Sequence, residues 1–207
     1  MNLLYGGLET ILYNINRKNN NLKLFEFGKI YQTVNNKQKY NEENILAILA
    51  TGKKNKPSWL EKPTNIDFFF LKKHIEGILI LLDCNKTTNI IEIEDTHLNP
   101  AIIISINNVN VAKIGNVRKT YLDTFDISQE VFYAELYLEK IIEIIKNKSI
   151  IYEPLPKYPS VRRDIAILID KNIKYSEIEK VVRDCEKELI TDITLFDFYE
   201  GNNIEKD

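Results

Sequence analysis

Glycine, proline and cysteine are scarce in this chain of 207 residues, which has 7 glycines, 6 prolines and 2 cysteines. So little glycine and proline excludes a collagen-like or low-complexity chain. Cys84 and Cys185 lie far apart in the sequence and share no C-x-x-C spacing, so neither a disulfide framework nor a zinc site is predicted. We expect a soluble globular protein of a reducing compartment, the cytoplasm.

An excess of charge of one sign is also missing, because 28 basic residues face 30 acidic ones. A protein that binds nucleic acid over a broad surface usually carries a large positive excess, so any contact with RNA should be local. Long apolar runs are missing too, since the most apolar helical segment, residues 68–82, is interrupted by charged residues. We therefore expect no membrane partner.

The common catalytic motifs are absent. The glycines form no G-x-G, so neither a dinucleotide-binding fingerprint nor a phosphate loop is predicted, and no G-x-S-x-G occurs. His74 falls in a strongly apolar segment and His97 in a turn, and neither has a cysteine or second histidine nearby. No catalytic residue and no metal site is predicted.

Hydrophobic periodicity predicts mixed helices and strands up to about residue 151. Apolar residues at i, i+3, i+4 and i+7 predict a first helix after Gly6 and Gly7, with the stripe Leu8, Ile11, Leu12 and Ile15. Further helices are predicted over residues 66–82 and 138–146. Strands are predicted over residues 22–31, 45–50, 90–94, 101–107, 109–117 and 131–138.

Three prolines within six residues predict a linker, because closely spaced prolines break both helices and strand ladders: Pro154, Pro156 and Pro159. We place a domain boundary there, between residues 1–151 and 152–207. In the second part, alternation predicts a strand over residues 163–170 and another over 190–200. Between these two strands, Ser176 and Glu179 predict a capping box at the start of a helix. Strand, helix and strand make half of a ferredoxin-like unit.

Five segments, in this order, carry a family resemblance: GLETILYNINRKNNNLKLFEFGKIY, FFFLKKHIEGILILL, IGNV, YEPLPKYPSVRRDIAILID and LFDFYEG. Together they resemble the C-terminal part of the bacterial phenylalanyl-tRNA synthetase beta subunit, over nearly the whole chain. The resemblance implies an α+β fold. Residues 1–151 would form a noncatalytic, class II synthetase-like antiparallel sheet with flanking helices. Residues 152–207 would form a partial ferredoxin-like β-α-β module, a truncated anticodon-binding domain.

The resemblance also implies a function. The chain would be a noncatalytic part of an enzyme that attaches phenylalanine to tRNA(Phe) with ATP, within a heterotetramer of two alpha and two beta subunits. It would pack against the alpha subunit and help to bind the anticodon region. ATP and Mg²⁺ would serve the holoenzyme, and this chain would bind no cofactor itself. The alternative is an interaction scaffold for the alpha subunit with no direct RNA role.

The arginine content independently predicts that this chain alone is inactive. Class II adenylate chemistry needs arginines on the ATP phosphates, and lysine cannot copy the bidentate geometry of a guanidinium. Only five arginines occur in the chain. Leu24 stands where an Arg-x-Glu triplet that ends at Glu26 would need arginine. We predict no adenylate synthesis by the isolated chain.

The first helix is the predicted subunit interface. By resemblance to the class II interface helix, its surface outside the apolar stripe would face the alpha subunit, through Tyr5, Glu9, Tyr13 and Arg17. An ordinary core helix explains the stripe equally well, because one apolar face is the rule for helices on a protein surface.

The second module carries the predicted tRNA contacts. Alternation in LFDFYEG places Phe196 and Phe198 on one face and Asp197 and Tyr199 on the other. If the phenylalanines pack under the helix, Asp197 can accept hydrogen bonds from a base and Tyr199 can stack on one.

A pair of adjacent arginines in the same module is the predicted phosphate contact. Arg162 and Arg163 form the only such pair in the chain. Salt bridges to Asp164 or Glu153 are the open alternative. Residues 153–207 carry 9 basic and 13 acidic groups, so this module cannot attract RNA by net charge.

Overall fold

A computed structural model describes residues 3–33, 40–56, 58–60, 62–84, 88–146, 152, 157–186 and 188–199. The chain divides into two compact units, Met1–Ile151 and Tyr152–Asp207. Pro154 and Pro156 of the predicted linker, Glu153 and Glu200 lie outside the described residues.

The first unit is a six-stranded antiparallel sheet with helices on both faces, which confirms the predicted fold class for this unit. Its helices are α1 (Leu4–Ile15), α2 (Phe68–Leu81), α3 (Lys119–Thr124) and α4 (Leu138–Ile145). Its strands are β1 (Leu22–Thr33), β2 (Tyr40–Thr51), β3 (Thr88–Glu92), β4 (Leu98–Ile106), β5 (Val109–Val117) and β6 (Val131–Tyr137). The strand order is β1-β2-β6-β5-β4-β3, and every neighbouring pair is antiparallel.

Two hydrophobic cores lie on the two faces of this sheet because successive side chains of a strand point to opposite faces. In the central strand β6, Phe132, Ala134 and Leu136 belong to the core with α2 and α4. Val131 and Tyr133 belong to the core with α1 and α3. All residues of β6 before Tyr137 are buried, as expected for a strand that is covered on both sides.

Helix α1 begins at Leu4, so Gly6 and Gly7 lie inside the helix rather than before it. A Cβ atom at Gly7 would lie 2.7 Å from the methyl carbons of Leu49 in β2. The glycine therefore lets the helix backbone approach the sheet closely. Leu4, Leu8 and Ile11 are fully buried in this contact.

Strands β1 and β2 are longer than the hydrophobic pattern predicts. They pair through twelve consecutive residues, from Leu22 with Thr51 to Thr33 with Tyr40, without a register break. The polar residues 41–44 join the ladder because main-chain hydrogen bonds do not require apolar side chains. The short helix α3 was not predicted, since six residues are too few to show a periodic pattern.

The second unit differs from its prediction in its local structure. Its described residues contain one helix, α5 (Tyr175–Cys185), and neither 163–170 nor 190–199 is hydrogen-bonded into a sheet. The N-cap of α5 is Lys174, without a side-chain cap, so the predicted capping box at Ser176 is wrong. Ser176 is already inside the helix, and Glu179 instead pairs with Arg183.

No described residue of the second unit is buried. Cys84 is buried in the first unit and Cys185 is exposed in the second, and both are free cysteines. Within the part of the chain that the structure describes, none of the helices is both long enough and apolar enough to span a bilayer.

Candidate functional site

The outward surface of α1 is the first candidate site, and its N-terminal end is occupied by an aromatic cluster. The hydroxyl of Tyr5 lies 3.0 Å from Nε2 of His97, at hydrogen-bond distance. The Tyr5 ring also stacks on Phe125 at 6.1 Å and meets Tyr121 edge-on at 6.3 Å. Tyr5 thus joins α1 to the turn before β4 and to the α3 region, and it remains partly exposed.

The C-terminal end of α1 carries a second arrangement, built from Tyr13 and Arg17. The guanidinium carbon of Arg17 lies 3.4 Å from the centre of the Tyr13 ring, and the same guanidinium donates to the carbonyl of Tyr13 at 3.0 Å. Such stacking holds a flat, cationic and aromatic surface in place. Tyr13 is exposed, as is Glu9 one turn before it. The fold thus leaves Glu9, Tyr13 and Arg17 on the outside of α1 while Leu8 and Ile11 face the sheet.

The sheet itself carries a buried charged network on the face of α1, which the hydrophobic pattern does not reveal. Lys113 of β5 lies directly opposite Glu135 of β6, with Nζ 3.5 Å from the carboxylate. The same ammonium lies 3.2 Å from Asp95, and Tyr133 donates to Glu135 at 2.8 Å. One partly buried cation thus lies between two carboxylates, of which Glu135 is buried and Asp95 is partly exposed.

The pKa values of this network follow from its burial and its hydrogen bonds. Burial acts to raise the pKa of Asp95, but hydrogen bonds from the backbone N–H groups of His97 and Leu98 and the charge of Lys113 outweigh it and lower the pKa. Burial, with the charge of Glu135 beside it, raises the pKa of the phenol of Tyr133. The network is internally satisfied, with a deprotonated Asp95 and a neutral Tyr133.

Neither arginine of the first unit is placed to bind a nucleotide. Arg17 stacks on Tyr13, and Arg118 donates from two guanidinium nitrogens to the backbone carbonyl of Asp95 at 3.0 and 2.9 Å. Leu24 packs against the core on the α1 face rather than lining a polar site. Among the described residues, no group of three or more histidine, cysteine or acidic side chains could hold a metal ion.

The second unit brings two of its predicted contact segments together. The guanidinium of Arg162 lies 5.5 Å from the centre of the Phe196 ring, and Arg162 also pairs with Asp164 at 3.1 Å. The salt bridge that the sequence left open therefore exists with Asp164. The contact with Phe196 places Arg162 beside the segment that contains Asp197.

The side chains of residues 195–199 are all exposed, including both phenylalanines. Phe196 is 63% and Phe198 70% exposed, so the condition set for the tRNA contacts, that both phenylalanines pack under the helix, is not met among the described residues. The reason is that α5 buries none of its own residues against this segment. Asp197 accepts a hydrogen bond from the backbone N–H of Phe198 at 2.8 Å, and Arg163 and Tyr199 are exposed.

Two family models match the chain in succession. The phenylalanyl tRNA synthetase beta chain CLM domain matches residues 1–138. The ferredoxin-fold anticodon binding domain matches residues 156–207. The second match supports the predicted ferredoxin-like class of the second unit, although its described residues form no sheet.

Curated relatives match over almost the entire chain. The phenylalanine–tRNA ligase beta subunit of Bacteroides thetaiotaomicron is 38% identical and covers 98% of this chain. The proteins of the same name from Porphyromonas gingivalis and Bacillus subtilis are 32% and 30% identical, over 98% and 96% of the chain. The chain spans only about a quarter of the length of these relatives, 26% of the first.

The fold also has a match among solved structures. The pyrrolysyl-tRNA synthetase from Desulfitobacterium hafniense superposes with a TM-score of 0.52 at 12% sequence identity, covering 70% of this chain and 49% of that one. At this identity the likeness concerns the fold alone, and it is that of an aminoacyl-tRNA synthetase. The family follows from the sequence matches: with the CLM model over residues 1–138 and a relative 38% identical over 98% of this chain, the chain belongs to the phenylalanyl-tRNA synthetase beta chain family.

Proposed function

We propose that this chain supports the ATP-dependent attachment of phenylalanine to tRNA(Phe) as a noncatalytic part of a beta subunit in the cytoplasm. Residues 1–151 are the catalytic-like domain, which packs against the alpha subunit of a heterotetramer with two alpha and two beta subunits. Residues 152–207 belong to the anticodon-binding domain. The observation that carries this proposal is the succession of the two family models along the chain.

The proposed contact with the alpha subunit uses the outward surface of α1. Tyr13 and Arg17 offer a preformed stacked surface, and tyrosine and arginine are the residue types that dominate binding energy at interfaces. Glu9 adds a negative charge one turn away. Tyr5 contributes its exposed edge while its hydroxyl holds the helix to His97.

The proposed contact with tRNA uses the surface around Arg162. The contact of Arg162 with Phe196 brings a guanidinium to the segment that contains Asp197, so the phosphate and base contacts would come from neighbouring parts of the same unit. Arg163 supplies a second guanidinium, and the exposed ring of Tyr199 can stack on an unpaired base.

In this proposal the alpha subunit, and not this chain, carries out adenylate formation. ATP and Mg²⁺ serve the holoenzyme, and the commitment of Arg17 and Arg118 to contacts within this chain supports that division. The isolated chain is then expected to catalyse no exchange of pyrophosphate into ATP.

A scaffold without an RNA role is the second candidate function. It is favoured by one observation: residues 153–207 carry 9 basic against 13 acidic groups. A surface with this balance gains no long-range attraction to phosphates.

The scaffold role is tested by mixing the chain with a cognate alpha subunit and measuring the mass of the complex by light scattering. We expect a mixed species, and we expect Tyr13→Glu to weaken it by about tenfold or more, the loss of a central aromatic contact. Tyr152→Glu is the matched control, because Tyr152 is exposed but lies outside α1. The absence of any mixed species would contradict the proposed packing.

The RNA role is tested on that same complex with a tRNA(Phe) anticodon stem-loop. Stacking is worth about 1–3 kcal/mol per base, so Tyr199→Ala should weaken binding by about tenfold. Tyr158→Ala removes a ring that is even more exposed, 84% against 63% for Tyr199, elsewhere in the unit and should leave binding unchanged. If the complex forms but Tyr199→Ala and Arg163→Ala leave RNA binding unchanged, the scaffold function stands alone.

A further inference from the structure

Strand β1 is an unusually open edge of the sheet. It pairs along all twelve of its residues with β2, and no other strand pairs with it among residues 3–33 and 40–146 that the structure describes. The opposite edge, β3, has only five residues. Natural edge strands are usually protected by shortness, proline, a bulge or charged side chains, lysine above all. β1 is long and has no proline and no bulge, and its two lysines, Lys23 and Lys29, flank its pair of phenylalanines without separating them. Its main chain is therefore a template for a further strand.

The exposed face of β1 is aromatic in the middle and basic on both sides. Alternation places Lys23, Phe25, Phe27 and Lys29 on one face, the face that α2 and α4 cover over the inner strands. Phe25 is 70% and Phe27 65% exposed, and their rings meet edge-to-face at 6.1 Å. Beside Phe27, an apolar groove runs to Leu138 and Ile142 at α4, so the bare surface continues beyond the strand itself.

The sequence of this face is complementary to its own antiparallel copy. We propose that β1 pairs with β1 of a second copy of this chain, antiparallel and centred on Phe27, so that the two sheets become continuous. In this register Phe27 faces Phe27 of the second copy, and Phe25 faces Lys29. Aromatic pairs directly opposite one another stabilise antiparallel strands, and the alkyl stem of lysine packs on an aromatic ring while Glu42 holds its ammonium.

The opposite face of the strand agrees with the same register. Glu26 would face Gly28 of the second copy, which has no side chain to crowd the carboxylate. A register centred on Glu26 would instead place Glu26 against Glu26 and Lys23 against Lys29. Like charges directly opposite one another destabilise a strand pair, so the charges disfavour the Glu26 register relative to the Phe27 register. Only the Phe27 register also places the two copies of Phe27, at this central position, directly opposite one another.

The exposed area predicts a weak dimer. Two phenylalanines exposed to this extent contribute roughly 250 Å² per chain, against about 800 Å² per partner in a standard interface. The rest of the interface must come from the main-chain ladder. We expect a dissociation constant on the order of micromolar. The proposal is independent of the proposed function, because it concerns this chain alone.

Sedimentation velocity of residues 1–207 over a wide concentration range tests the association. We expect a concentration-dependent dimer that Phe27→Lys weakens by about tenfold or more, since two lysines would meet at the dyad. Trp59→Lys is the control, because it makes the same change at a side chain that is even more exposed but lies in the loop after β2. Circular dichroism checks that each variant is folded.

Cross-linking tests the register. In a Cys185→Ser background, Phe27→Cys should form an intermolecular disulfide, because directly opposite residues in antiparallel strands lie within disulfide range. Trp59→Cys reports random collisions. A chain that is monomeric throughout, a dimer unaffected by Phe27→Lys, or equal cross-linking at positions 27 and 59 would each overturn the proposal.

Discussion

The two units contain similar alternating apolar segments, yet only one of them builds a sheet. Residues 109–117 form β5, which is paired on both sides by β4 and β6. Residues 163–170 alternate in the same way but have no strand partner in the described structure, and Ile165 and Ile167 are exposed. The comparison teaches that alternation specifies which face of a strand is apolar, whereas neighbouring strands decide whether the strand forms.

The contacts within the first unit also differ in kind from those within the second. Every buried hydrophobic residue that the structure describes belongs to the first unit. The second unit relies on exposed contacts, such as Arg162 with Asp164 and Glu179 with Arg183. Exposed pairs are typically worth less than about 1 kcal/mol each, so the second unit should be much less stable than the first.

The largest expected effect is on the free energy of unfolding, and it is measured by introducing an aspartate at one position in each unit. Leu8→Asp buries a carboxylate under α1, and we expect it to lower the free energy of unfolding of the first unit by about 4–5 kcal/mol. Ile167→Asp, at a side chain that is more than half exposed, should change stability by no more than about 0.5 kcal/mol. Urea titration followed by circular dichroism measures both.

This pair of variants tests directly whether only the first unit has a hydrophobic core. A large loss of stability for Ile167→Asp would mean that residue 167 is packed in solution and that the second unit has a core of its own. A small loss for Leu8→Asp would contradict the close packing of α1 on β2.

The periodicity of apolar residues was sufficient to predict most helices and strands of the first unit. It was insufficient where pairing with a neighbouring strand determines the length of an element. The stripe of α1 was predicted because each of its residues faces one core, and α2 and α4 were predicted to within two residues. The extra length of β2 was not predicted, because its polar start pairs through the main chain alone.

The charged network is another feature that no single segment could reveal. Lys113 and Glu135 are ordinary interruptions of two apolar strands, and only the strand register brings them opposite one another. The outer face of α1 was inferred by elimination from its apolar stripe, but the contact of Tyr5 with His97, 92 residues away, depends on the tertiary fold.

An intermediate effect is expected from the charged network of Lys113, Asp95 and Glu135, which has no counterpart among the described residues of the second unit. Lys113→Met removes the cation between the partly buried Asp95 and the buried Glu135, which then keep their hydrogen bonds from His97, Leu98 and Tyr133. We expect a loss of about 3 kcal/mol in the free energy of unfolding, typical of a broken buried pair. Chemical denaturation at neutral pH measures it.

The matched control for this variant is a more exposed pair in the same unit. Lys72→Met removes an i, i+4 partner of Glu76 on α2 and should cost no more than about 0.5 kcal/mol. Equal losses for Lys113→Met and Lys72→Met would show that solvent reaches the network and screens its charges.

The smallest expected effect is a gain, and it shows how far the second unit depends on local interactions. Helix α5 buries no residue, and its N-cap, Lys174, has extended backbone angles but no side chain that accepts from the first turn. Lys174→Asp supplies that acceptor and should stabilise the helix by about 0.5–1 kcal/mol, measured as slower hydrogen exchange of its amides. Lys174→Glu makes the same change in charge with a side chain that caps poorly, so it separates the cap from the helix dipole. Equal protection in the two variants would assign the gain to charge alone. If neither variant slows the hydrogen exchange of the α5 amides, interactions other than the N-cap and the helix dipole control the stability of this helix.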